Sequence, residues 1–149
     1  MLEQLLAREE GKTLEFKENS LPIQRIVQTA IAFANTAGGI ILLGIKNNTK
    51  EVVGLENILQ DELRVANAIA ASVFPLLIPN LQFCSWRHRE ILIITIPHSL
   101  GPYYLQSKGC HFVVACFWSI FRTFSSMISL KCSLQSLKHY HHFSGHKTT

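Results

Sequence analysis

The sequence predicts an α/β fold, a mixed β-sheet of about four to five strands with two main helices, and three observations carry that expectation. Apolar residues recur at helical spacing from Ile23 to Ala34, an unbroken aliphatic run from Ile40 to Leu43 follows a glycine pair, and two later strand-like runs, the second nearly all aliphatic, are divided by turn residues.

Taken in order, Leu2, Leu5 and Leu6 among Glu3, Gln4, Glu9 and Glu10 predict a short amphipathic helix ending at Gly11. Thr13 to Lys17 reads as the first strand, with Leu14 and Phe16 on one face and Glu15 and Lys17 together on the other. Ser20 is placed to cap the next helix, and Pro22 falls in its first turn, where a missing N–H costs little. Ile23, Ile26, Val27, Ala30, Ile31 and Ala34 form the buried face of that helix; Gln24, Arg25 and Gln28 take the wet side. Asn35, Thr36, Gly38 and Gly39 stop it, the paired glycines supplying positive-φ geometry. Ile40 to Leu43 lacks polar alternation, as a central strand covered on both faces does.

Lys46 to Glu51 is a polar turn leading to a short strand at Val52 and Val53, the two together reading as a hairpin. A second helix is expected from about Asn57 to Val73, with Ile58, Leu59, Leu63, Ala66, Ile69, Ala70 and Val73 as its apolar set. Pro75 and Pro79 bracket a connector to strands near Leu81 to Trp86, where Leu81, Phe83 and Ser85 share a face, and Glu90 to Ile96. Arg87-His88-Arg89 is the turn between them, and Pro97 ends the pairing because it offers no donor.

Composition divides the chain. The 48% hydrophobic content of 149 residues allows one domain with a real core and argues against disorder. The formal charge of +4 is not spread evenly: residues 1–107 hold nine Lys/Arg against ten Asp/Glu, net −1, and residues 108–149 hold five Lys/Arg and no acid, net +5. The basic balance therefore belongs to the tail. Cys84 stands alone before residue 108, whereas Cys110, Cys116 and Cys132 follow it; with Met1 to Glu10 short and charged, a thiol-reduced cytoplasmic setting is expected. Phe112 to Phe121 is too short to span a bilayer, so no membrane partner is expected, and the Cys110, His111, Cys116 and Cys132 spacing matches no paired zinc-ligand pattern.

Glu15-Phe16-Lys17, then Ala32-Phe33-Ala34-Asn35-Thr36-Ala37-Gly38-Gly39, then Gly44, Val53-Gly54-Leu55 and Gly101-Pro102-Tyr103-Tyr104 resemble the Schlafen/AlbA-like (Schlafen AlbA-2) domain family over residues 3–108. The resemblance implies a nucleic-acid-binding domain, DNA or RNA, of the kind found in regulatory proteins including transcriptional regulators. In that family the chain continues past the Pro-Tyr into a turn rich in tyrosine, arginine and glycine, which is missing here. The expected organisation is thus a Schlafen/AlbA-like domain at 1–107, truncated at its C-terminus, and a poorly ordered, non-family tail at 108–149 from a frameshift or read-through. The whole then reads as the remnant of a longer regulator.

Glu10 and Glu15 are the candidate catalytic pair. In the Schlafen branch that cuts tRNA and rRNA, two glutamates at this spacing join an aspartate from the hairpin after the central strand to hold a divalent metal. Carboxylates suit Mg²⁺ or Mn²⁺ because these ions prefer hard oxygen ligands. Here the family's acidic hairpin positions fall on Lys46 and Asn47, so a third ligand is lacking and a lysine ammonium is expected to repel the metal. The bland alternative is a solvated helix end for Glu10 and a strand carboxylate paired with Lys17 for Glu15.

Lys12, Lys17, Arg25, Lys46 and Lys50 are the candidate phosphate contacts, against the alternative of an ordinary solvated face. Asn35, Thr36, Gly38 and Gly39 form a structural motif at a helix C-terminus, whose dipole disfavours phosphate. No GxxxxGK[ST] is present to support a nucleotide-hydrolysing reading. The reading the sequence favours is nucleic-acid binding without a cofactor; a metal-dependent endoribonuclease using Mg²⁺ or Mn²⁺ is the first rival, a protein-interaction module the second. Homo-oligomerisation is left open.

Overall fold

The aliphatic run after the glycine pair becomes an interior strand, as its lack of alternation predicts. The computed structural model describes residues 2–99, 101–107 and 110–113, all within one unit, Met1–Cys116. The elements are α1 (Leu2–Leu6), β1 (Leu14–Lys17), α2 (Ile23–Ala34), β2 (Gly39–Leu43), α3 (Ile58–Ser72), β3 (Val73–Phe74), β4 (Asn80–Trp86), β5 (Arg89–Ile96), β6 (Tyr104–Ser107) and β7 (Cys110–Val113). A four-stranded sheet has the order β1-β2-β5-β4, parallel between β1 and β2 and antiparallel elsewhere.

Strand parity then builds a core on each face. Ile41, Leu43, Leu92, Ile94 and Ile96 point to the side where α2 and α3 pack, meeting Ile26, Val27, Ala30, Ile31, Phe33, Val65 and Ile69. Leu14, Phe16, Leu42, Ile91 and Ile93 point the other way, where Leu2 and Leu5 of α1 cover them. One strand buried on both faces and flanked by two clusters is the physical meaning of the Ile40–Leu43 run.

Several expectations are corrected. Ser20 does not cap α2: Pro22 occupies the N-cap without a side-chain bond. The buried Ser20 hydroxyl instead donates to Asp61 Oδ1 at 2.5 Å, and Arg64 Nη1 donates to both Ser20 Oγ at 2.6 Å and Asp61 Oδ1 at 2.7 Å. The start of α2 is thereby tied to α3. On α3 the inward face is Ile58, Val65 and Ile69, while Leu59 and Leu63 are 65% and 62% exposed. The expected apolar set names Leu59 and Leu63 and omits Val65; packing against α2 and the sheet instead buries the stripe containing Val65.

Val52 makes only an isolated bridge to Ile45, and Arg89 belongs to β5, leaving Arg87 and His88 as the turn. Gly38 alone of the glycine pair has positive φ, at 74°; a Cβ on Gly39 would stand 2.4 Å from the Phe33 ring, so Gly39 is required by close approach. A second, three-stranded sheet of order β3-β6-β7 was not expected from the sequence, because its strands are short and lack periodicity. Its pairing runs to Val113, beyond the residue 107 boundary; the expectations for the tail after Val113 lie outside the described residues. No helix among the described residues is long and apolar enough to cross a membrane.

Candidate nucleic-acid interface

The outer edge of β1 and the turn after β2 bring most of the candidate side chains together. Because Ile40 N–H donates to Thr13 and Gly44 N–H to Lys17, alternate backbone groups of β1 face outward. Glu10 covers one of them: its Oε1 accepts from the Phe16 N–H at 2.7 Å. Gly11 and Leu14 bond to each other alongside. Glu10 is therefore an edge cap rather than a solvated helix end, which a sequence reading misses because the bond runs from a linker side chain to a strand amide.

Burial holds the Glu10 carboxyl above the ordinary glutamate range; the Phe16 N–H opposes this, and the nearby Glu15 charge adds to it. Glu15 is ion-paired with Lys17 on the same strand face, as alternation predicts. Asn47 is the residue of the turn that interacts with Glu10. Lys46 does not confront the carboxylate pair: its ammonium goes to Glu51 Oε2 at 2.8 Å, an exposed pair in which hydrogen bonding raises the lysine and lowers the glutamate. The expectation of direct metal repulsion by Lys46 is corrected accordingly.

Lys50 ties the turn to the chain before β1, donating to Glu9 Oε1 at 2.7 Å and to the Arg8 carbonyl at 3.0 Å. Arg8 in turn donates to Thr13 Oγ1. Of the five candidate cations, Lys17, Lys46 and Lys50 thus stand in ion pairs at one edge, and Lys12 lies exposed in the same linker. Arg25 is exposed on α2 and forms no hydrogen bond or ion pair with that group among the described residues.

The donor set does not fit a divalent metal held by three acids. Glu10 is engaged with a backbone amide, Glu15 with Lys17, and the third position presents an amide. Among the described residues no three His, Cys, Asp or Glu side chains gather into such a cage. Asp61, the lone aspartate, is committed to Ser20 and Arg64.

Asn35 has a role that spacing alone cannot show. Its Oδ1 accepts from the Tyr103 N–H at 2.7 Å and its Nδ2 donates to the Tyr103 carbonyl at 3.0 Å, clamping the end of α2 to the segment entering β6. Thr36 Oγ1 donates back to Ala32 at 2.8 Å, and Gly38 makes the reversal into β2. The asparagine-to-glycine stretch and the Pro-Tyr segment are one structural device.

Among the described residues this is an α/β domain of three helices and a four-stranded mixed sheet, with a second, three-stranded sheet and a mixed-charge edge beside β1. The chain belongs to the Schlafen AlbA_2 family, whose model matches residues 10–115. It is similar to the N-terminal domain of an ATP-dependent DNA helicase RecG-related protein from Nitrosomonas europaea, solved in solution, with 25% identity and a TM-score of 0.62 over 76% of this chain and 83% of that one. It also resembles in fold the DIP2311 protein from Corynebacterium diphtheriae, at 16% identity and a TM-score of 0.53, over 76% of this chain and 25% of that one.

Proposed function

We propose that this domain is a cytoplasmic nucleic-acid-binding module of a regulatory system, contacting phosphates through the edge beside β1. The observation that carries the reading is the gathering of Lys12, Lys17, Lys46 and Lys50 at one edge of a domain whose family and helicase-related neighbour are associated with nucleic acid. Exposed ion pairs such as Lys46–Glu51 contribute little on their own, so a phosphate can compete for the lysine at low cost. Arg25 adds a separate contact from α2. Phosphate contact gives affinity without sequence choice, and binding should weaken steeply with salt.

The test is a salt titration of binding to tRNA and to duplex DNA. Lys12→Ala with Lys46→Ala should weaken binding to both and make the slope of log affinity against log salt shallower by about 1–2. Binding that ignores salt would mark an artefact rather than phosphate contact, and no binding to either nucleic acid would support the protein-interaction reading. The endoribonuclease reading is weakened by the missing third carboxylate.

A further inference from the structure

Three of the lysines beside β1 already hold a carboxylate, and the three pairs are not held alike. Lys17 and Glu15 pair on the strand face with their side chains 22% and 15% exposed. Lys50 donates to Glu9 Oε1 and also to the Arg8 carbonyl at 3.0 Å, so loss of the carboxylate would leave it anchored. The Lys46 ammonium has Glu51 alone among the described residues, and the two side chains stand open to solvent, 40% and 60% exposed.

Backbone geometry sets Lys46 and Glu51 opposite one another. The Lys46 N–H donates to the Glu51 carbonyl and the Lys50 N–H to the Lys46 carbonyl, each at 2.9 Å, and Ile45 bridges Val52 at the foot of the turn. The turn is thus closed by main-chain bonds, and its shape does not depend on the ion pair. Hydrogen bonding between the side chains raises Lys46 and lowers Glu51, which keeps both charged at neutral pH.

Given the nucleic-acid-binding reading above, on which this rests, we propose that Glu51 is an internal competitor for phosphate, and that exchange of Lys46 from Glu51 to a backbone phosphate limits the affinity of this edge. A phosphate that meets a free lysine sheds a condensed cation into solution, and that release gives nucleic-acid binding its salt dependence. At Lys46 the exchange differs. Glu51 is set free as the phosphate arrives, and its exposed carboxylate takes up a cation in turn. The contact forms with almost no net release of ions, so binding is weaker and less dependent on salt than an unpaired lysine would make it. Lys17 and Lys50, more firmly held, keep their carboxylates when phosphate approaches.

The test is a salt titration of the full chain on tRNA and on duplex DNA, with wild type and Glu51→Gln side by side. The variant keeps the main-chain bonds of the turn and should unfold at the wild-type temperature. It should bind about two- to fivefold more tightly. Its slope of log affinity against log salt should be steeper by about 0.7–0.9. Made in a Lys46→Ala background, the same substitution should leave the slope unchanged. Glu62→Gln, an equal change of charge on α3, should leave the wild-type slope unchanged as well. A salt-sensitive wild type whose slope Glu51→Gln does not steepen, or equal steepening by Glu62→Gln or without Lys46, would overturn the proposal while nucleic-acid binding stands. A chain that binds neither tRNA nor duplex DNA, with Glu51 or with Gln in its place, would overturn the binding reading and the proposal together.

Discussion

Glu10 shows how a single side chain can serve the backbone rather than chemistry. Its carboxyl titrates above the ordinary range because it is partly buried, despite the Phe16 N–H that it accepts. A carboxyl whose pKa is raised on folding contributes stability below its unfolded value and loses it as pH rises through the folded one. Glu10→Gln keeps an oxygen for Phe16 and cannot ionise. Its melting temperature relative to wild type should therefore shift in the variant's favour between about pH 4 and pH 7. A difference independent of pH would count against the raised titration.

Gly39 makes a second residue-scale test. With Phe33 1% exposed, the ring has little room to yield to a Cβ at 2.4 Å, and Gly39→Ala should cost about 1–3 kcal/mol in urea unfolding. Combined with Phe33→Leu, the alanine should cost less than it does alone. Gly38→Ala should show no such relief, since the φ of 74° and the 2.8 Å approach that an added Cβ would make to the backbone of Ile96 and His98 do not depend on that ring.

Among elements, the join between α2 and β6 is the most exposed to a single deletion. Asn35→Ala removes both bonds to the Tyr103 backbone next to a side chain that is 7% exposed, leaving a donor and an acceptor without their partner. The expected loss is about 2 kcal/mol in urea unfolding, with Asn35→Asp intermediate because it keeps the acceptor. Helix α3 teaches the opposite lesson. Its extent is legible to within a residue at each end, and Asn57 caps it by accepting from the Gln60 N–H at 3.0 Å, but its inward face is not, since the sequence pattern picks Leu59 and Leu63 and passes over Val65.

For the whole molecule, the proposed binding through the edge beside β1 carries a prediction about cleavage. With an amide at Asn47, a lysine on Glu15 and a backbone donor on Glu10, no cleavage of tRNA above background is expected in Mg²⁺ or Mn²⁺. Asn47→Asp adds the missing oxygen anion beside Glu10, and it should acquire an Mn²⁺-dependent rise in melting temperature that wild type lacks. Wild-type cleavage abolished by Glu15→Gln, read on a denaturing gel, would restore the nuclease reading.

Local patterns determined the elements that carry strong periodicity or strong punctuation: α2, the two-sided β2, the β4–β5 hairpin and the stop at Asn35 to Gly39. The shared strand face of Glu15 and Lys17 was equally legible, because alternation is a property of the backbone. Only the tertiary structure decided where side chains find distant partners. Ser20 turned from a local cap to Asp61 and Arg64, Glu10 from solvent to the edge of β1, and Lys46 from the carboxylate pair to Glu51. Asn35 likewise found Tyr103, far along the chain. Hydrophobic period records which way an element faces, whereas a polar group's partner depends on which buried donor or acceptor lies nearest after the layers close, and that distance is not written along the chain.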